Sequence, residues 1–271
     1  MIKIFIASFL FLASYLSSAQ TKSDTVWHHK KCAVVLTYDD AIPQHLDNAI
    51  PVLDSLHLKA TFYLTANGTK NRINDWKQVA FKGYELGNHT LFHPCIGGAG
   101  REWVRPEYDM NNYTVQRMID EIRMTNIFLE ALDGKKKRTF AFTCGDMKVH
   151  DTSFMDLLKN DFVAARAVRD QMHGINQIDL YSTDCYAVNG QTAAQMEQWV
   201  KQAIATNSLL VILFHGVGGG NFLNVSLNDH REFLTWLKQN EKDIWVAPMI
   251  DVAEYVRGYQ RQKKRELIIN N

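Results

Sequence analysis

The chain has 271 residues, 46% of them hydrophobic, with 30 basic and 29 acidic side chains. That near-neutral balance argues against a nucleic-acid binder, which calls for a basic face, and suits an uncharged substrate. Four cysteines (Cys32, Cys95, Cys144 and Cys185) are too few to scaffold a chain this long; they allow three pairings, and free buried thiols are an equally good reading.

Lys3, the apolar run Ile4 to Leu12 and the small residues Ser17-Ser18-Ala19 have the three-part pattern of a signal peptide over residues 1–20. The apolar stretch falls short of the roughly 20 residues of a spanning helix, and no cysteine follows it to carry a lipid. The expectation is an exported protein, periplasmic or extracellular, with no membrane span after cleavage. Residues 21–271 then form a single catalytic domain.

Cys32 to Tyr38 reads as a buried strand from its continuous apolar, β-branched character. Helical spacing over Asn48 to Leu56 leads into a second strand, Ala60 to Thr65. A short helix over Trp76 to Phe81 precedes a third, Tyr84 to Asn88. Residues 94–113 form a long irregular insertion, and Val115 to Leu132 is an amphipathic helix closed by Asp133-Gly134. Further strands are expected over Thr139 to Phe142, Phe162 to Ala165, Ile178 to Ser182, Leu209 to Phe214 and Ile244 to Ala247. A helix starts at Ser226, and the polar tail from Gln260 to Arg265 is expected to fray. Alternating strands and helices indicate an α/β fold with about seven parallel strands. Polar residues gather at the C-terminal ends of those strands, the rim on which α/β barrels carry their sites, so the expected architecture is an irregular (β/α) barrel.

Two motifs at that rim carry chemistry. Asp39 and Asp40 end the first strand, and His89 and His93, four residues apart, follow the third. One helical turn between the histidines would let both imidazoles face one ion. A catalytic zinc site needs three protein ligands, an open position for water and a base beside it, and these four side chains supply that inventory. The glycine run Gly216 to Gly220 lacks the spacing of a phosphate cradle. His230, opening a helix, reads as solvated.

Asp39-Asp40, the strand Lys59-Ala60-Thr61-Phe62-Tyr63-Leu64, the segment Gly83 to Pro94 and Leu213-Phe214-His215 resemble the polysaccharide deacetylases of the NodB-homology type over roughly residues 32 to 256. The resemblance implies a metal-dependent hydrolase that removes acetyl groups from an N- or O-acetylated carbohydrate. Asp40, His89 and His93 would bind the divalent metal, zinc before cobalt or nickel. Asp39 would be the general base, His215 the general acid, and a backbone N–H near Cys144 an oxyanion donor. Two departures stand out. The family's third motif carries an arginine that pairs with the catalytic aspartate, whereas this chain has Ala141-Phe142-Thr143-Cys144-Gly145; Arg138 and Lys148 are the nearest cations. The fourth motif, an aspartate followed by tryptophan, is represented only by Asp184-Cys185, and Asp184 is the candidate partner of His215. Trp103, Tyr108 and Tyr113 in the insertion could stack on sugar rings or pin the loop. Hydrolysis of a non-sugar amide or ester and an inactive carbohydrate-binding homologue are the competing readings. The glycan, its length and the oligomeric state are not fixed by the sequence.

Overall fold

The computed structural model describes residues 26–269, so the signal-peptide segment lies outside the described residues. β1 (Cys32–Asp39), β2 (Thr61–Leu64), β3 (Glu85–Asn88), β4 (Thr139–Ala141), β5 (Ala164–Arg166), β6 (His173–Gly174), β7 (Tyr186–Ala187), β8 (Ser208–Phe214) and β9 (Ile244–Val246) form one nine-stranded sheet. Its order is β5-β4-β3-β2-β1-β8-β6; β9 pairs with β1 and β7 with β8. All pairings are parallel except that of β6 with β8. The segment from Leu180 to Ala187 closes the circle. Thr183 bridges Arg166 on one side, and Tyr186 and Ala187 pair with Ile212 and Leu213 on the other. The strand expected over Ile178 to Ser182 is therefore displaced towards the C-terminus, beyond a turn.

Both faces of β1 are buried, as a central parallel strand requires. Val34, Leu36 and Tyr38 pack into one hydrophobic cluster, Ala33 and Val35 into another. The helices run as expected in α1 (Ile50–Ser55), which a π-helical turn, His45–Ala49, precedes, and in α2 (Ile73–Phe81) and α3 (Val115–Asp133). α3 starts on the Thr114 side chain and ends on a left-handed Gly134. α4 (Ala193–Thr206) escaped the sequence reading although Thr192 and Gln195 form a capping box there. α5 spans Leu227–Gln239. α6 (Met249–Ile269) continues through the polar tail that was expected to fray, its buried face being Met249, Val252, Ala253 and Val256. No helix among the described residues is long and apolar enough to cross a membrane.

At the end of the sheet away from the site, the buried carboxylate of Glu85 accepts four hydrogen bonds. They come from the Thr61 hydroxyl (2.7 Å), the Thr139 hydroxyl (2.6 Å) and the backbone N–H groups of Thr139 (3.0 Å) and Ile250 (2.9 Å). One side chain thus ties β2, β3 and β4 to the first turn of α6. An amide in place of the carboxylate would offer a donor where two donors already converge. Glu85→Gln should lower stability by about 3 kcal/mol, the order of a lost bond to a charged group. Chemical unfolding of the variant beside the wild type measures this.

Candidate active site

The two aspartates reach one site because the chain turns sharply between them. Asp39 is the last residue of β1, while Asp40 and Ala41 adopt left-handed backbone angles, φ 81° and 56°. Asp is among the few L-residues that visit this region, and the turn aims both carboxylates at the same cavity. The histidines sit on a loop, not a helical turn as expected, with Thr90 and His93 left-handed. The Thr90 hydroxyl accepts from the His93 N–H at 2.9 Å, and the Asn88 side chain accepts from the Thr90 N–H at 2.8 Å. The loop is thus held by its own polar residues.

The outcome is a close cluster. Asp40 Oδ1 lies 3.4 Å from His89 Nε2 and 3.3 Å from His93 Nε2, and His89 Nε2 lies 3.6 Å from Asp39 Oδ2. His89 donates its Nδ1–H to the Ala141 carbonyl at 2.9 Å, which leaves Nε2 bare towards the cluster. A ligating histidine is normally anchored in this way through its other nitrogen. His89 Nε2, Asp40 Oδ1 and Asp39 Oδ1 are all buried without a hydrogen-bond partner. Burial favours neutral His89, but the carboxylates of Asp39 and Asp40 outweigh it and raise the imidazole pKa. Burial, and then neighbouring His89, push His93 down to about 4, so at neutral pH it carries a free lone pair. Asp40, His89 and His93 all lie within ligating reach of one another. One carboxylate and two imidazoles, with Asp40 Oδ1 and His89 Nε2 buried and unsatisfied, fit a divalent ion of the zinc class.

Asp39 is buried and its Oδ2 forms a close ion pair with Arg166, which is itself fully buried at the end of β5. Sequence reasoning missed this arginine. Neither nearby cation reaches the site: Arg138 is bound by Asp133 (2.9 and 3.0 Å) and the Leu86 carbonyl, and Lys148 is exposed. Arg166 stands 5.2 Å from the Tyr63 ring, and Tyr63 is admitted by Gly87, where a Cβ would come within 2.4 Å of that ring. The only sequence signal was a charged residue directly after an apolar β-run, Val163-Ala164-Ala165.

His215 follows β8 and lines the same cavity as Asp39, Asp40, His89 and His93, a space of about 620 Å³. Its Nδ1 is buried and unpartnered. Asp184 is not that partner. Its Oδ1 accepts from Arg169 Nε at 2.7 Å, its Oδ2 meets His173 Nε2 at 2.9 Å, and it lines a different cavity with those two residues. His230, expected to be solvated, is buried with its Nε2 2.8 Å from the Tyr38 hydroxyl.

Cys144 lines the cavity in a left-handed conformation (φ 53°) and forms a disulfide with Cys95, two residues beyond His93; Cys32 and Cys185 are free and buried. Asp146 fastens the insertion, accepting from Arg101 at 2.6 Å and from the Ile96 N–H at 2.8 Å. Of the three aromatic candidates in that insertion, Trp103 lines the cavity and is exposed. Tyr113 is buried, donating to Glu121 at 2.8 Å, and Tyr108 stacks on Phe92, so both pin the loop. Phe222, exposed on the far side of the glycine run, is a cavity residue that the sequence reading did not single out.

The sequence profile of the family described as Polysaccharide deacetylase matches residues 28–160. Over those residues, just under half of its length, the chain is similar to the polysaccharide deacetylase family. A peptidoglycan-N-acetylglucosamine deacetylase of Bacillus cereus is 32% identical over 80 residues, 28% of each chain. The chain spans between 28% and 45% of the length of the curated relatives it matches. Among solved structures, a putative polysaccharide deacetylase from Mycobacterium smegmatis superposes with TM-score 0.58 at 16% identity, covering 85% of this chain and 92% of its own. A CE4 family pseudoenzyme from Bacillus anthracis superposes with TM-score 0.53 at 17% identity, covering 83% of this chain and 66% of its own. At these identities the superpositions speak for the shared deacetylase fold alone.

The ion pair of Asp39 with Arg166 can be tested without turnover. Arg166→Met leaves Asp39 buried without its counter-charge and should cost about 3–5 kcal/mol of stability. Asp39→Asn in the same chain should recover part of that loss. Unfolding midpoints of the two single variants and the double variant give the coupling directly.

Proposed function

We propose that the chain is a metal-dependent deacetylase acting on an N- or O-acetylated carbohydrate. The observation that carries this reading is the cluster of Asp40, His89 and His93 within ligating reach of one another, with Asp40 Oδ1 and His89 Nε2 buried and unsatisfied beside an ion-paired Asp39. Asp40 and the two Nε2 atoms would hold a divalent ion, zinc before cobalt or nickel. When bound, such an ion lowers the pKa of water and polarises an acetyl carbonyl.

Asp39 then serves as the general base. Arg166 fixes its Oδ2, and Oδ1 is left to take the proton of the attacking water. The Cys144 N–H, held by the disulfide and by a loop of two left-handed residues, is the oxyanion donor in this reading. His215 gives a proton to the departing amine or alcohol, which otherwise leaves poorly. Exposed Trp103 and Phe222 line the same cavity and offer flat apolar faces to a sugar ring. Such surfaces suit a neutral glycan better than a charged ligand.

The reading includes export. The signal-peptide pattern of residues 1–20 supports it, as does the Cys95–Cys144 disulfide, a bond that persists in oxidising compartments.

Acetate release by residues 21–271 on an N-acetylglucosamine oligomer and on acetylated xylan tests the proposal. Release should stop with chelator and return with zinc, and the preferred substrate distinguishes amide from ester. Asp39→Asn should lower turnover by about 10²- to 10⁴-fold, the usual worth of a general base, with bound metal unchanged. Metal binding without release from either glycan would favour a non-sugar substrate or a carbohydrate-binding homologue.

A further inference from the structure

The segment that leaves β1 carries Asp39 and Asp40 and then winds into the π-helical turn His45–Ala49. Single π-turns concentrate at functional sites because their hydrogen-bond geometry is otherwise unfavourable. Two side chains of this turn, three residues apart, reach the loop that follows β8. His45 donates its Nε2–H to the main-chain carbonyl of His215 at 2.7 Å, and Asn48 donates its Nδ2–H to the carbonyl of Val217, also at 2.7 Å. A third link returns from that loop: Asn221 Nδ2 lies 3.4 Å from Asp40 Oδ2.

His45 is fully buried against the rings of Tyr38 and Phe62. Burial pushes its imidazole down to about 4, so at neutral pH the ring is uncharged and has a single N–H. That hydrogen is committed to the His215 carbonyl, while Nδ1 has no partner. An apolar ring would fill the space without leaving a buried nitrogen unsatisfied, a state that costs about 1–3 kcal/mol. The histidine is therefore poorly explained by packing. His215 itself has no side-chain partner at Nδ1, so its main chain is where the fold can hold it.

We infer that His45 and Asn48 are positioning residues that clamp the His215–Val217 main chain and thereby set the reach of the His215 imidazole to the leaving group. The inference rests on the reading of His215 as the proton donor. A clamp of this kind matters when the leaving group needs a proton. It is immaterial when that group departs as a stable anion, and a merely structural role would make no such distinction.

The experiment compares the acetylated glycan that the protein cleaves, N-acetylglucosamine oligomer or acetylated xylan, with 4-nitrophenyl acetate, whose phenolate leaves unprotonated. Asn48→Ala and His45→Phe should lower kcat on the glycan by about ten- to a hundredfold, the cost of a misplacement near 1 Å, with KM on the glycan and aryl-ester turnover held within about twofold of wild type. His45→Gln, which keeps a donor, should restore part of the glycan rate. Equal losses on both substrates, or no loss on either, overturn the clamp. Asn48 is only half-buried, so Asn48→Ala carries the test if His45→Phe does not fold. His215→Ala is the reference. If it leaves the glycan-to-ester ratio unmoved, the proton-donor assignment falls and takes the clamp with it; if it moves the ratio and the clamp variants do not, the clamp alone is wrong.

Discussion

The buried pairing of Arg166 with Asp39 is the constraint around which the site is arranged. Two charges withdrawn from water repay their desolvation only when geometry and hydrogen bonding are good, and such a pair is seldom retained for stability alone. Here the guanidinium is fully buried at the end of β5, also donates to the Ala167 carbonyl at 3.2 Å, and contacts the Cys185 thiol. The orientation of Asp39 on β1 is therefore set from the opposite side of the barrel, by the register that places Ala164 to Arg166 beside Thr139 to Ala141. Tyr63 and Gly87 belong to the same arrangement, one supporting the guanidinium and the other making room for the support. Strands β1, β2, β3 and β5 all contribute to one carboxylate.

Placing the arginine on β5 frees the loop after β4 for another task. Thr143 to Gly145 forms a tight turn with two left-handed residues, joined to the histidine loop by the Cys95–Cys144 disulfide. Asp146 and Arg101 extend the join into the insertion, with Arg101 also donating to the Cys144 carbonyl at 3.1 Å. Three segments distant in sequence thus share one frame. The insertion is long enough to be mobile on its own, and this frame gives Trp103 a definite place on the cavity wall.

Much of this was legible in the sequence because strand periodicity and metal-ligand chemistry are local signals. The run Cys32 to Tyr38 could be nothing but a buried strand, and Asp40, His89 and His93 offered ligand types that gather at barrel rims. What could not be read was partnership across the barrel. Arg166 lies 127 residues from Asp39 and ends a strand whose apolar run is short, so nothing near Asp39 points to it. Asp184 illustrates the converse error. It had the right residue type for pairing His215, yet the closer cation Arg169 and His173 occupy both its oxygens. His230 was misjudged for a related reason: a polar tip says little about exposure when the ring behind it can fill a core. The helical-turn geometry expected for His89 and His93 failed because left-handed residues at 90 and 93 bring the rings together by another route.

The contrast between the ways Asp39 and His215 are held bears on how the site divides its work. Asp39 is held by a side chain with a full opposite charge, which fixes its position. His215 has no such partner. Its ring nitrogen Nδ1 has no hydrogen-bond partner among the described residues, while its carbonyl and that of Val217 are both engaged by the turn after β1. A carboxylate at Nδ1 would fix both the tautomer and the orientation of the imidazole; a grip on the main chain fixes where the ring is anchored and leaves it free to rotate about its side-chain bonds. The same nine-residue stretch, Asp40 to Asn48, then contributes a candidate metal ligand at one end and the anchor of the candidate proton donor at the other. Any movement of that stretch shifts both together, which preserves the spacing between the candidate ion site and His215 better than two independent supports would.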